Sequence, residues 1–155
     1  MTIKIGKKVP AWTLEATGEK SIQSKELLGQ NIVLYFYPRD STPGCTTEAQ
    51  DFRDLQKQFH KHNTVILGVS MDSLKSHDKF LEKQALNFDL LSDPDATLCN
   101  LFDVIKLKKM YGKEFEGIER STFLIDTTGV LRQEWRKVKV AGHAEEVLES
   151  VKALP

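Results

Sequence analysis

Apolar and polar positions follow two rhythms along this chain. Asn31 to Tyr37 (NIVLYFY) and Thr64 to Ser70 (TVILGVS) are unbroken apolar, β-branched and aromatic runs. They are short enough for strands and apolar enough to be buried on both faces. Between them, from about Pro43 to His62, the residues Cys45, Ala49, Phe52, Leu55 and Phe59 recur at three- and four-residue steps, which predicts a helix with one apolar face. Ser73 is suited to N-cap a second helix that runs to about Gln84 with Leu74, Phe80 and Leu81. Leu90-Leu91 predicts a short strand closed by the Ser92–Asp95 turn, and a helix follows over about Ala96 to Phe102. Ser121 to Asp126 and Val130 to Arg136 predict a β-hairpin turning at Thr127-Thr128-Gly129. The last helix follows Gly142 and presents Ala144, Val147, Leu148, Val151 and Leu154. Two weaker strands, Trp12 to Ala16 and Ser21 to Gln23, precede this series. Ile105 to Glu119 has no clear period and predicts a long functional loop.

Strand–helix–strand–helix, then a hairpin and a closing helix, is an α/β sandwich with a mixed sheet. The order resembles the thioredoxin-like core. With 155 residues, no repeat and no Ser/Pro-rich linker, a single domain over 1–155 is expected. Twenty-two basic residues balance 22 acidic ones, which argues against a protein built to grip nucleic acid. No apolar run approaches the roughly 18 residues of a membrane span, and no secretory leader is expected at Met1-Thr-Ile-Lys-Ile-Gly. Two cysteines, Cys45 and Cys99, are too few for a disulfide framework and fit a reducing cytosol.

Chemistry concentrates in Tyr35-Phe-Tyr-Pro-Arg-Asp-Ser-Thr-Pro-Gly-Cys-Thr-Thr-Glu48. A buried strand ends at Pro38. Thr42 suits an N-cap and Pro43 a first helical position, so Cys45 falls at about N3. The first helical turn offers unpaired N–H groups and the positive end of the helix dipole, both of which favour thiolate over thiol. The same N–H groups suit a polar oxygen substrate held beside the sulfur. Taken alone, Cys45 is either such a nucleophile or a small core residue.

Pro38-x-x-x-Thr42-x-x-Cys45 resembles the active-site signature of the peroxiredoxins, and the longer stretch is similar to their bacterioferritin comigratory protein, or peroxiredoxin Q, subfamily. Gly117-Ile-Glu-Arg-Ser-Thr-Phe-Leu-Ile-Asp126 resembles that family's arginine-bearing strand, and Trp135 to Ala144 is a third similar block. The resemblance spans nearly the whole chain. It implies reduction of hydrogen peroxide and organic hydroperoxides without metal, flavin or haem. Cys45 is then the nucleophile that becomes a sulfenic acid. Thr42 hydrogen-bonds peroxide and thiolate, Arg120 stabilises the charge as the O–O bond breaks, and Pro38 shields the sulfur. Gly44 and Glu48 complete the substrate pocket, with Glu48 orienting an arginine through an ion pair.

The family commonly carries a resolving cysteine, but the corresponding positions here are Gln50 and Leu81. Cys99 is either a core residue between Leu98 and Leu101 or the resolving thiol. The first alternative implies a one-cysteine cycle completed by glutathione, glutaredoxin or thioredoxin, in a protein expected to be a monomer. Two competing functions share the fold: a dithiol–disulfide oxidoreductase, against which the missing C-x-x-C counts, and a redox sensor or holdase switched by Cys45. His60, His62, His77 and His143 show no metal-ligand spacing and are expected at the surface. The lysines of 106–113 suit an anionic partner such as glutathione or a merely solvated loop, and Tyr111 is a candidate to close over the site.

Overall fold

A computed structural model describes residues 3–155. The chain runs β1 (Thr13–Ala16), β2 (Lys20–Gln23), a 3₁₀ turn (Ser24–Leu27), β3 (Asn31–Phe36), α1 (Pro43–Lys61), β4 (Thr64–Ser70) and α2 (Leu74–Gln84). It continues through β5 (Asp89–Ser92), α3 (Thr97–Leu101), β6 (Ile105–Met110), β7 (Lys113–Ile118), β8 (Ser121–Ile125), β9 (Leu131–Arg136) and α4 (His143–Lys152). Seven strands form one sheet in the order β2-β1-β5-β4-β3-β8-β9. β3, β4 and β5 are parallel, and β8 joins β3 antiparallel. This mixed sheet flanked by helices is the thioredoxin-like arrangement that the element order predicts.

The period of two along β3 divides the molecule. Val33, Tyr35 and Tyr37 face α1, α2 and α4, where Cys45, Phe52, Phe80 and Val147 complete a core. Ile32, Leu34 and Phe36 face the other way, into a core closed by Leu98, Cys99 and Phe102 of the α3 region. Both layers are apolar, which is why β3 reads as a continuous apolar run rather than an alternating one. Gly68 on β4 has a steric reason. A Cβ there would lie 2.8 Å from Leu90 and 2.9 Å from the Tyr35 ring, which stacks on Phe52 at 4.7 Å.

The segment expected to be a loop is instead the hairpin β6–β7, paired from Ile105↔Ile118 to Met110↔Lys113. Tyr111 and Gly112 both have positive φ, 54° and 77°, as a two-residue type I′ turn requires. The turn lacks the Asn-Gly or Asp-Gly signal, and beyond Ile105 and Ile118 at the base the strands bury little apolar surface, so no apolar rhythm marks them. Tyr111 is 97% exposed at the tip and does not close over Cys45. His60 and His62 are exposed as expected, but His77 and His143 are buried. Each of those two has hydrogen-bonding partners inside the fold, and that is what makes a buried imidazole tolerable.

Candidate active site

β3, an interior strand, delivers the chain to the end of the sheet, and the loop 37–42 turns it into α1. Thr42 is the N-cap by backbone geometry, Pro43 is N1, Gly44 is N2 and Cys45 is N3. Thr46 N–H closes the first bond, 2.9 Å to the Thr42 carbonyl. The N–H groups of Gly44 and Cys45 have no acceptor among the described residues, so the positive end of α1 opens beside the sulfur. Cys45 Sγ points into the core beside Ala49 and Phe52, and the residue is 1% exposed.

Arg120, between β7 and β8, reaches over this turn. Its Nη2 donates to Cys45 Sγ at 3.3 Å and its Nη1 to Glu48 Oε1 at 2.6 Å. A Cβ on Gly44 would meet Arg120 Nη2 at 3.1 Å, so glycine at N2 leaves the guanidinium room. Burial works against the arginine charge, but Glu48 and then Cys45 outweigh it and hold its pKa above the ordinary value. Glu48 is almost fully enclosed and its Oε2 has no hydrogen-bond partner among the described residues. Burial therefore lifts its carboxyl to about 7, with Arg120 pulling in the other direction.

The structure thus brings Cys45, Gly44, Glu48 and Arg120 together, with Pro38 and Thr42 half-buried in the adjoining loop. One expected contact is different. The Thr42 hydroxyl donates to the Arg39 carbonyl at 3.0 Å, not to Cys45, and it makes no side-chain cap. The hydroxyl can still accept a bond from a bound peroxide.

A second layer escaped the sequence reading. Asp40, in the loop before Thr42, accepts from Tyr37 Oη at 2.6 Å and from Ser76 Oγ at 2.8 Å, and its Oδ2 lies 2.7 Å from His77 Nδ1. Its own N–H donates to Asp72 Oδ2 at 2.8 Å. His77 Nε2 is 2.9 Å from the Leu91 carbonyl; a carbonyl only accepts, so that nitrogen carries a hydrogen. Burial opposes the Asp40 charge, yet the hydrogen bonds from His77, Tyr37 and Ser76 hold its carboxyl below the usual range. Asp40, Asp72 and His77 sit close enough to suggest metal ligands. However, the bonded oxygens of both carboxylates are met by protein donors, so the cluster works as a latch tying the Cys45 loop to α2. Nothing local in the sequence marks this cluster, because Asp40 lies in the polar run Arg39–Thr42 and His77 between Ser76 and Asp78.

Cys99 occupies the opposite core. Burial raises its thiol pKa well above the ordinary value, and Asp93 raises it further. Gln50 and Leu81, the positions where a resolving cysteine would stand, lie where α1 meets α2; Gln50 bonds Gln84 at 2.8 Å and Leu81 packs into the Cys45-side core.

A thioredoxin-like fold that sets a buried cysteine at helix position N3 against an arginine is the arrangement expected of a thiol-based peroxidase. The chain belongs to the AhpC/TSA family, whose pattern matches residues 5–134, and within it to the Bcp/PrxQ peroxiredoxins. It is 53% identical over 152 residues to peroxiredoxin Bcp of Bacillus subtilis, covering 98% of this chain and 97% of that one. Peroxiredoxin Bcp of Xanthomonas campestris is 60% identical over 125 residues, covering 81% and 78%. Among solved structures, a Xylella fastidiosa PrxQ mutant superposes with a TM-score of 0.94 at 48% identity, over 99% of this chain and 98% of that one. Xanthomonas campestris peroxiredoxin Q gives 0.88 at 54% identity, over 92% and 90%. The protein is accordingly a peroxidase that reduces a peroxide and is itself reduced by a thiol.

Proposed function

We propose that this peroxidase works by a one-cysteine cycle on hydrogen peroxide and organic hydroperoxides, with the Cys45 sulfenic acid resolved by an external thiol. The observation that carries it is the position of the two cysteines on opposite faces of the sheet, Cys45 under α1 and Cys99 under β3–β4–β8. A disulfide needs Cα atoms within about 7 Å, and the central sheet stands between these two residues. The Xanthomonas campestris relative reduces alkyl peroxides, which supports the organic part of the substrate range.

In the first step the Cys45 thiolate attacks one peroxide oxygen. The S–O bond forms as the O–O bond breaks, sulfur is oxidised to the sulfenic level, and the RO group leaves as an alkoxide that takes a proton from water to become ROH. The Gly44 and Cys45 N–H groups bind the peroxide, Thr42 accepts its hydrogen, and Arg120 stabilises both the thiolate and the leaving oxygen. Glu48 keeps the guanidinium aimed at the sulfur. Pro38 offers no N–H and screens the sulfur from water.

Resolution requires movement, because a peroxide reaches a buried sulfur more readily than a second thiol does. The first turn of α1 unwinds after oxidation. Hydrogen exchange over 44–48 tests this: amides that become faster in the oxidised protein agree with it, and equal protection in both states rules it out. The same reading has a single-domain monomer acting in the reducing cytoplasm, with thioredoxin, glutaredoxin or glutathione as reductant. Two free cysteines support the reducing compartment.

A further inference from the structure

The hairpin β6–β7 has two unlike faces. Side chains directly opposite in an antiparallel pair share a face. The pairs Lys106↔Gly117, Lys108↔Phe115 and Met110↔Lys113 therefore put three lysines, Met110 and Phe115 on one side. The pairs Leu107↔Glu116 and Lys109↔Glu114 put both acids on the other, where Lys109 and Glu114 form a 3.5 Å ion pair. One face is basic and partly apolar, and the other is acidic on balance.

β7 leads from this face to the active-site arginine: Arg120, whose Nη2 lies 3.3 Å from Cys45 Sγ, follows the strand's last residue, Ile118, by two positions. Lys108 is half-buried while its neighbours Leu107 and Lys109 are exposed. Its stem lies over Gly117, where a Cβ would meet Lys108 Cδ at 3.4 Å. Burial lowers the pKa of its ammonium; the Arg120 charge lowers it further, while Cys45 and Glu119 act in the opposite sense. Lys106 is paired with Asp103 at 3.2 Å, whereas neither Lys108 nor Lys113 has an ion-pair partner among the described residues. Arg39 is exposed in the Cys45 loop. Hydrogen peroxide is neutral, and Arg120 already serves the oxygen that leaves. The extra positive charge is left for the other substrate.

We infer that the Lys108–Lys113 face of this hairpin recognises the reducing substrate, and that this substrate is a small thiol bearing carboxylate charge. The inference rests on the one-cysteine reading above. The thiolate of the first thiol attacks the sulfenic sulfur, an S–S bond forms, and the hydroxyl leaves as water after taking up a proton. A second thiolate attacks the mixed disulfide, releases the Cys45 thiolate and carries away the oxidised disulfide. Two thiols thus supply the two electrons that the peroxide removed.

A charge series of thiols tests it. The protein is oxidised with one equivalent of hydrogen peroxide and mixed, at low ionic strength, with mercaptosuccinate, glutathione, 2-mercaptoethanol or cysteamine. Reduction rates are corrected for thiolate fraction and nucleophilicity. In wild type the rate should rise with negative charge, about tenfold from cysteamine to glutathione, and fall as salt is added. In Lys108→Gln/Lys113→Gln the ordering of the four thiols should collapse, a ratio read within one pre-oxidised protein and so independent of how fast peroxide oxidises Cys45. Lys109→Gln, on the opposite face, should keep the wild-type ordering. The inference is overturned if wild type shows no ordering, if the double variant keeps it, or if only a protein dithiol reduces the oxidised enzyme. None of those results touches the one-cysteine reading, which fails separately if oxidation of wild type yields an internal disulfide.

Discussion

The two cysteines make a controlled comparison inside one molecule. Cys45 and Cys99 are both about as buried as a residue can be, at 1% and 0% exposure, and both lie in the first turn of a helix. Their electrostatic surroundings have opposite sign. Cys45 receives a guanidinium N–H at 3.3 Å beside open helix N–H groups. Cys99 sits beside Asp93, whose carboxylate takes the N–H groups of Leu98 and Cys99 at 3.2 and 2.8 Å. The same helix terminus that favours a thiolate is occupied by an anion in one case and left for substrate in the other. On the proposed mechanism, burial alone does not decide whether a cysteine is inert or reactive; the charge that shares its pocket does.

Removing each sulfur is the largest way to break the symmetry. Cys45→Ser should reduce peroxide consumption, measured with excess thiol, to the uncatalysed background, whereas Cys99→Ser should stay within about twofold of wild type. Removing the charge comes next. Arg120→Met should slow oxidation of Cys45 by roughly a hundred- to a thousandfold in stopped-flow measurements. Arg120→Lys should recover only part of that, since one ammonium cannot serve both Cys45 and Glu48 through a planar fork.

Stability against pH sharpens the comparison further. Glu48 titrates at about 7 in the fold against an ordinary 4.5, so its contribution is full below about 4.5 and lost as pH rises through 7. His143, bonded to Thr122 Oγ1 at 2.8 Å, is pushed down to about 4 from 6.5, first by burial and then by Arg120. Its contribution is present above 6.5 and lost as pH falls through 4. Each span corresponds to about 3 kcal/mol, and between them the slopes oppose each other. Urea denaturation of Glu48→Gln should therefore show stability rising from pH 4.5 to 6.5, and His143→Gln should show it falling; unchanged profiles would refute both assignments. The smallest effect belongs to the latch. His77→Asn should slow oxidation by about tenfold through a displaced Cys45 loop, with faster hydrogen exchange at 40–46.

Much of this architecture is legible in the chain. NIVLYFY, the 45-49-52-59 apolar face and the Thr42-Pro43 helix start specify β3, α1 and the N3 position of Cys45, because each rests on local periodicity or capping. The hairpin β6–β7 is not legible in that way. Beyond Ile105 and Ile118 at its base it buries little apolar surface, so its residues need not alternate in hydrophobicity, and its Tyr111-Gly112 turn carries only half of the usual signal. The Arg120–Glu48 contact spans 72 positions and was readable only as a family expectation. His77 and His143 mislead for a related reason. A histidine is placed by its partners, and Asp40, Leu91 and Thr122 become partners only once the sheet has formed.

The central claim is that Cys45 acts without help from Cys99, and intact mass spectrometry addresses it directly. Wild type and Cys99→Ser are each treated with one equivalent of hydrogen peroxide, with and without dimedone. A single dimedone adduct on Cys45 in both proteins is the predicted result. Loss of two hydrogens from wild type, with the adduct appearing only in Cys99→Ser, would mean that the two faces of the sheet communicate after all and would contradict the account.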